Sequence, residues 1–257
     1  MGIHPTAIID PSAELGEGVS VGPYSIIGPR VVVGKGTTIM SHVHVDKDTA
    51  IGEDCRLFPF SSVGADPQDM SYRGERTVLV VGNRVTIRES SSLHRGTSKG
   101  TGITTVGDDC LIMALVHVSH DCRLGEGSIL ASLSVLAGHV VTGPHAIIGG
   151  SAAVHQFVRV GTHSLVGGLS GIVKDVPPYM IAAGNRDGVA VVPNFVGLKR
   201  KAHTREELDV VTDAHRFLHN RKPLNGCLER LLAAHPDSPI AKNIAEFYRS
   251  SKRGVYR

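Results

Sequence analysis

The sequence predicts a mainly β fold: a parallel β-helix of hexapeptide repeats followed by a C-terminal α-helical domain. Three observations predict this fold. An aliphatic residue recurs every six positions over most of the first 172 residues. Aromatic residues make up only 4% of the chain and tryptophan is absent, which suggests repetitive aliphatic layers rather than one large irregular core. After Pro177 and Pro178 the six-residue period ends and helical spacing follows.

The hexapeptide repeat runs in three stretches, from Ile3 to Val63, from Val81 to Leu93 and from Val106 to Ile172. Together they hold 26 hexads, which cover 156 of the 257 residues. A period of six indicates a parallel β-helix, in which three hexads close one coil and coils stack about 4.8 Å apart. The repeats therefore make nearly nine coils, and glycines after the aliphatic positions should ease the corners. Hexads this regular resemble those of the left-handed β-helix family, and that resemblance implies the handedness.

Two segments interrupt the period, at residues 69–80 and 99–105, and we expect both to loop out of the helix. Loops that project from a rigid scaffold often carry function. The sequence alone leaves open whether these loops are functional or are tolerated insertions.

The carboxyl-terminal region has helical signals of its own. Thr204 and Glu207 are spaced as a capping box ahead of apolar residues at helical intervals. Pro223 and Pro239 stand where later helices can begin, the latter after a possible Ser238 cap. We therefore predict a β-helix domain over residues 1–190 and a helical domain over residues 191–257.

Charge is distributed unevenly between these two parts. From residue 199 to the end, Lys and Arg outnumber Asp and Glu by 13 to 7, a net charge of +6. Because the whole chain carries +3, the preceding residues carry −3. A basic region on a slightly acidic body favours an acidic partner, although a solvated helical surface explains it equally well.

The composition argues against several classes of protein. No apolar run is long enough to span a bilayer and no secretory signal opens the chain, so we expect no stable membrane insertion. The four cysteines lie far apart without a C-x-x-C motif, which favours a reduced, cytoplasmic protein. Cys55, Cys110 and Cys122 occupy the small-residue position of their hexads, where we expect them to fill the core. We expect no nucleic-acid partner.

Coil stacking predicts which distant residues become neighbours. In a coil of three hexads, residues 18 apart lie above one another, so Val118, Leu136 and Val154 share a column. By the same arithmetic His120 lies in column with Gly138. Polar side chains from three coils then gather on outward-pointing positions of one face: His117, His120, Asp121, His139, His155 and Gln156.

Three hypotheses explain this cluster of histidines. A histidine can act as general base on a hydroxyl that attacks a carbonyl, with Asp121 orienting the ring and the Gly138 N–H facing the developing oxyanion. Histidines shared between subunits can instead hold a catalytic zinc, as in γ-class carbonic anhydrases. The third hypothesis is a structural polar ladder. A comparable pair, His145 and His163, stacks on another face, so the pattern alone leaves all three open.

Six motifs follow one another along the chain: I-R-E-S-S-S-L-H-R-G-T (87–97), H-V-S-H-D-C (117–122), L-A-G-H (136–139), A-V-H-Q-F (153–157), D-V-P-P-Y (175–179) and G-L-K-R (197–200). Taken together they resemble the UDP-N-acetylglucosamine O-acyltransferases of lipid A biosynthesis, over essentially the full chain. This resemblance implies transfer of a 3-hydroxyacyl chain from acyl carrier protein to the 3-position of a UDP-sugar. It implies a homotrimer that needs no cofactor or metal, and the basic tail fits the acidic carrier.

The same resemblance implies roles for individual residues. His120 matches the general base, Asp121 its supporting carboxylate, and Gly138 the donor of the oxyanion N–H. Gly168 matches a position where side-chain size limits acyl length, so glycine there would allow a longer chain. Substrate contacts are implied for residues in the loop, the coils and the tail: Asp69, His117, His139, His155, Gln156, Asn194 and Arg200.

Three positions depart from the family pattern. Ser71 stands where a lysine helps to hold the sugar nucleotide, Val196 where an acidic residue is common, and Lys201 where arginine is found. The acceptor is therefore open between UDP-N-acetylglucosamine and its 3-amino analogue. A γ-class zinc carbonic anhydrase on the same fold is the alternative function.

Overall fold

The computed structural model describes residues 2–219 and 223–257, and it confirms a left-handed parallel β-helix with helices at the carboxyl end. Three sheets form the faces of the β-helix. Sheet 1 has nine strands: Ile8–Ile9, Ile26–Ile27, His44–Val45, Ser62–Ala65, Ser92–His94, His117–Val118, Val135–Leu136, Ala153–Val154 and Gly171–Ile172.

Sheets 2 and 3 complete the three faces. Sheet 2 has eight strands: Glu14–Leu15, Val32–Val33, Thr49–Ile51, Val78–Val81, Ile103–Val106, Arg123–Leu124, Val141–Thr142 and Arg159–Val160. Sheet 3 has ten strands: Ser20–Val21, Thr38–Ile39, Arg56–Leu57, Thr86–Ile87, Leu111–Ile112, Ile129–Leu130, Ile147–Ile148, Leu165–Val166, Met180–Ala183 and Ala190–Pro193. Strand pairs are parallel except the last, which is an antiparallel hairpin.

The register confirms the 18-residue stacking. Val118 pairs with Leu136, and Leu136 pairs with Val154. Where the period breaks, Val63 pairs with Leu93 and Leu93 with Val118, separations of 30 and 25 residues. The excess over 18 is 12 and 7 residues, which are the lengths of the two predicted excursions. Both leave the helix where sheet 1 passes to sheet 2.

The core is a stack of aliphatic side chains, because the hexad residue of each strand points inward. Leu57, Leu93 and Leu136, for example, are completely buried. Cys55, Cys110 and Cys122 are also buried, as predicted. Burial raises the pKa of the Cys122 thiol to about 12, so this thiol stays protonated and unreactive at neutral pH.

Glycine serves the corners differently from the prediction. Gly34, which follows an aliphatic residue, lacks a left-handed backbone, but a Cβ there would lie 2.6 Å from the Gly52 carbonyl carbon of the next coil. The left-handed conformation falls two residues later and is often taken by other residues, such as Asp121 (φ 58°) and His139 (φ 62°). Close approach of coils, rather than the turn itself, therefore requires glycine at position 34.

Four α-helices follow the last hairpin: α1 (Phe195–Arg200), α2 (Arg205–Leu218), α3 (Leu224–Ala234) and α4 (Pro239–Arg249). A short 3₁₀ helix, Arg186–Gly188, connects the hairpin strands. The predicted Thr204–Glu207 capping box begins α2, and Ser238 caps α4. Because the hairpin extends sheet 3 to Pro193, the helices begin a few residues after the predicted boundary at 190, which stays a prediction.

The helices dock on the last coils through both charge and apolar contacts. Arg159 pairs with Asp175 at 3.0 Å and donates to the Phe247 carbonyl of α4 at 2.8 Å. The Tyr256 hydroxyl accepts from the Val173 N–H at 3.0 Å. In the described part of the chain, no helix combines the length and hydrophobicity needed to cross a bilayer.

Candidate active site

The predicted cluster lies at the edge between sheets 1 and 2. Three successive corners, at residues 119–121, 137–139 and 155–157, follow the paired strands that contain Val118, Leu136 and Val154. The coil stacking therefore aligns the predicted polar residues as the sequence arithmetic requires.

His120 lies directly over Gly138. A Cβ on Gly138 would come within 2.6 Å of the imidazole Cε1 and 2.8 Å of Nε2, so the ring occupies the space of the missing side chain. His120 Nδ1 lies 2.9 Å from Asp121 Oδ2. Because an ionised carboxylate can only accept, Nδ1 carries the proton and Nε2 keeps its lone pair. No acceptor within the described chain receives the Gly138 N–H.

Asp121 is buried, which corrects the expectation that the whole cluster points outward. Its side chain is 0% exposed because residues 97–101 of the second excursion cover it. Burial raises the pKa of this carboxyl, but hydrogen bonds from Thr97 and His120 outweigh burial and leave the pKa below its ordinary value. The carboxylate is thus charged at neutral pH although it is buried.

His139 and Phe157 extend the cluster along the same edge. The His139 ring meets the His120 ring edge-on at 5.2 Å and stacks on Phe157 at 4.4 Å. His139 Nε2 lies 3.8 Å from Asp121 Oδ2. Burial is the main cause that lowers the pKa of His139 below its ordinary value. His139 is therefore a neutral, stacked ring beside the His120–Asp121 pair.

His117 is fixed by hydroxyl groups on both sides. Its Nδ1 lies 2.9 Å from Ser92 Oγ, and its Nε2 lies 2.9 Å from Ser119 Oγ. Burial, followed by the charge of His94, lowers its pKa. His155 and Gln156 are exposed on the next coil, where His155 Nδ1 contacts the Gln156 carbonyl at 3.2 Å.

The first excursion brings Asp69 toward the cluster. Asp69 Oδ1 accepts from the N–H and the hydroxyl of Ser71, each at 2.7 Å. These two bonds, with a smaller contribution from the charge of His120, lower the pKa of Asp69. Ser71, which stands where the family has lysine, therefore fixes the orientation of the predicted sugar contact.

Several residues at this edge were not predicted, although the quoted motif at 87–97 contains three of them. Arg95 is 1% exposed and binds the Gly64 carbonyl, Asp66 and Asp46, which ties the first excursion to the helix. Thr97 donates to Asp121. His94 is buried, and its Nδ1 lies 2.7 Å from the Asp66 carbonyl. These residues follow the last regular strand before an excursion, where the repeat gives no information on side-chain direction.

The predicted nucleotide contacts lie on another edge, between sheets 2 and 3. Asn194 caps α1, accepts from the Gly197 N–H at 3.1 Å and donates to the His163 carbonyl at 2.8 Å. With Arg200 it lines a pocket of about 310 Å³ beside the stacked rings of His145 and His163. Burial, followed by repulsion from neighbouring positive charges, lowers the pKa of His163 to about 4, so its ring is neutral at neutral pH.

Gly168 lies on the third edge, between sheets 3 and 1. A Cβ on Gly168 would meet the Gly150 carbonyl oxygen at 3.2 Å, so glycine keeps this corner open. Leu115, Leu133 and Leu169 are exposed at corners of the same edge. A single chain thus separates the predicted catalytic, nucleotide and acyl-chain residues onto three edges.

One group of side chains could hold a metal ion within the described residues. The ligand atoms of His120, Asp121 and His139 lie within 4.8 Å of one another. The Asp121 carboxylate, however, already accepts hydrogen bonds from Thr97, Thr101 and His120. A cation would have to replace some of these bonds.

Comparison with known proteins identifies the family. A family model described as Udp N-acetylglucosamine O-acyltransferase, domain 2, matches residues 175–256, and one for the bacterial transferase hexapeptide (six repeats) matches residues 103–138. The acyl-[acyl-carrier-protein]--UDP-N-acetylglucosamine O-acyltransferase of Burkholderia orbicola is 45% identical over 261 residues, with 99% of both chains covered. The protein of the same name from Burkholderia mallei is 47% identical over 260 residues. The chain belongs to the UDP-N-acetylglucosamine O-acyltransferase family.

Solved structures of the UDP-N-acetylglucosamine O-acyltransferase family share this fold. LpxA from Acinetobacter baumannii is 38% identical with a TM-score of 0.95, and 99% of each chain is covered. The UDP-N-acetylglucosamine acyltransferase of Francisella novicida is 32% identical with a TM-score of 0.94, covering 99% of this chain and 94% of that one. The resemblance drawn from the six motifs is confirmed.

Proposed function

We propose that this protein is an acyl-[acyl-carrier-protein]--UDP-N-acetylglucosamine O-acyltransferase that carries out the first step of lipid A biosynthesis. The observation that carries this proposal is the His120–Asp121 pair seated over Gly138, in a chain whose relatives bear that enzyme name. A protonated Nδ1 leaves Nε2 as a base, which acyl transfer to a hydroxyl needs.

In the proposed reaction, His120 Nε2 removes the proton from the 3-hydroxyl of the sugar as that oxygen attacks the thioester carbonyl carbon. The oxyanion that forms accepts from the Gly138 N–H. When the C–S bond breaks, the proton held on Nε2 passes to the leaving sulfur, which gives the free thiol of the carrier and the new oxygen ester. His120 is thereby restored to its neutral form.

Asp121 supports this cycle in two ways. Its hydrogen bond to Nδ1 fixes the tautomer, and its negative charge stabilises the imidazolium that forms when Nε2 takes the proton. The low exposure of the carboxylate strengthens this charge interaction, because little water screens it.

We propose that the working enzyme is a homotrimer. The predicted catalytic residues, nucleotide contacts and Gly168 lie on three different edges of one chain, so one bound substrate can reach all of them only with edges from neighbouring copies. His117, His139, His155 and Gln156 would then line the substrate cleft between subunits.

The proposed acyl donor is a 3-hydroxyacyl chain on acyl carrier protein. Exposed basic side chains at the helical end, including Lys242, Arg249 and Lys252, suit an acidic carrier. A cytoplasmic location agrees with four free cysteines and with substrates made in the cytoplasm.

The acceptor is proposed as UDP-N-acetylglucosamine, with its 3-amino analogue as the alternative that Ser71 and Val196 leave open. Turnover of the two acceptors by purified protein separates them. A strong preference for the hydroxyl sugar rejects the amine, and a strong preference for the amine, which yields an amide, rejects the hydroxyl sugar.

His120→Ala tests the mechanism. We expect kcat to fall by about 10²- to 10⁴-fold, the usual contribution of a general base, while the oligomer stays intact. His44→Ala is the matched control, because His44 is exposed in a strand of the same sheet several coils away. Unchanged turnover in His120→Ala would contradict the mechanism.

A zinc enzyme of the γ-carbonic anhydrase kind is the second candidate, favoured by the proximity of His120, Asp121 and His139. Elemental analysis of the purified protein distinguishes the two functions. About one zinc per subunit, together with hydration of carbon dioxide, would reverse their order.

A further inference from the structure

The second excursion forms a cradle around the Asp121 carboxylate. Thr97 donates its hydroxyl to Oδ2 at 2.7 Å and its N–H to both oxygens at 3.1 and 3.2 Å. The Thr101 N–H donates to Oδ1 at 3.0 Å. Of these residues, Thr97 and Thr101 were not among the expected site residues.

Gly100 shows that the cradle fits the carboxylate closely. A Cβ on Gly100 would lie 2.3, 2.4 and 2.5 Å from Oδ1, Cγ and Oδ2 of Asp121, so no larger residue fits without displacing the carboxylate. The Gly100 N–H also donates to Thr97 Oγ1 at 3.1 Å. With that lone pair in use, the Thr97 hydroxyl proton is directed at Asp121.

The contacts form one directed chain of hydrogen bonds. It runs from the Gly100 N–H to Thr97 Oγ1, from the Thr97 hydroxyl to Asp121 Oδ2, and meets there the Nδ1–H of His120 at 2.9 Å. The oxygen that holds the imidazole is therefore the oxygen that Thr97 holds. Displacement of Oδ2 would turn the ring and move Nε2.

We propose that Thr97 is a positioning residue, which sets the carboxylate of Asp121 and through it the aim of the His120 imidazole. Thr97 does not touch the reacting atoms. This inference rests on the proposed function, because it assigns the effect of Thr97 to the general base.

The test compares Thr97→Val with Thr97→Ser in steady-state acyl transfer. Loss of a hydrogen bond to a charged group should lower kcat by about 10- to 100-fold in Thr97→Val, with both KM values within about twofold. Thr97→Ser, which keeps the hydroxyl, should stay within about threefold of the parent. Thr77→Val is the matched control, since Thr77 is equally buried and its hydroxyl has no partner among the described residues.

A double-mutant cycle separates positioning from general structural support. If Thr97 acts through the carboxylate, Thr97→Val should add less than about twofold to the loss caused by Asp121→Asn. Gly100→Ala, which crowds the carboxylate by a different route, should reproduce the kcat loss and covers the case in which Thr97→Val folds poorly.

Two results would overturn the inference while leaving the proposed function standing. One is parental kcat in both Thr97→Val and Gly100→Ala when His120→Ala is inactive. The other is a Thr97→Val loss that multiplies in full on Asp121→Asn. An active His120→Ala would instead refute the proposed function, and the inference with it.

Discussion

Replacing Gly138 with alanine should misplace the catalytic imidazole without unfolding the protein. The new Cβ would lie 2.6 Å from His120 Cε1, whereas ordinary contacts begin at 3.4 Å, so the ring must retreat by 3.4 − 2.6, about 0.8 Å. A displacement of that size can cost about 100-fold in rate, equivalent to about 2.7 kcal/mol of transition-state stabilisation. We expect kcat to fall by about that factor, with KM nearly unchanged.

The assay measures acyl transfer from carrier-bound substrate, together with thermal unfolding. Gly138 has no left-handed backbone, so alanine should leave the midpoint unchanged or raise it slightly. Gly150→Ala is the matched control at the equivalent corner position of another edge, where the nearest atom is the Ser132 carbonyl oxygen at 3.3 Å. A Gly138→Ala enzyme with parental kcat would refute the idea that the ring works from its place over Gly138.

Three further predictions concern stability and metal dependence. Because the pKa of His163 is lowered from 6.5 to about 4, the unfolded chain protonates first as pH falls; the free energy of unfolding should drop between about pH 6.5 and 4, and less steeply in His163→Gln, as measured by urea unfolding. Equal slopes would contradict this. Arg95→Met should cost about 2 kcal/mol in the same assay, since Asp46 and half-exposed Asp66 lose their counter-charge, whereas an unchanged midpoint would argue against that pairing. Treatment with EDTA should leave acyl transfer unchanged, and a loss restored by zinc would favour the metal hypothesis.

Most of the fold was predictable because one physical pattern recurs. Burial of one aliphatic residue per short strand imposes the period of six, and closure by three strands converts it into stacking at 18. That arithmetic placed His120 over Gly138 before any coordinates. The capping box of α2 was equally visible, because caps are local in sequence.

The remainder depends on residues outside the period. The excursion that contains Thr97 folds back over the helix edge, so Asp121 is buried although its corner position predicts exposure. No sequence rule orients such a loop. The separation of Arg200 and Gly168 from His120 onto other edges follows from the coil count, but its consequence, completion by neighbouring copies, depends on surfaces that meet only on assembly.

Both insertions depart from and rejoin the wall at one seam, and the strands on either side stay in register. Such a layout uncouples the length of these loops from the catalytic geometry beneath them. Natural variation can lengthen, shorten or rewrite the first loop, and with it the choice of acceptor, while the vertical alignment of base and amide donor is inherited intact from the coils.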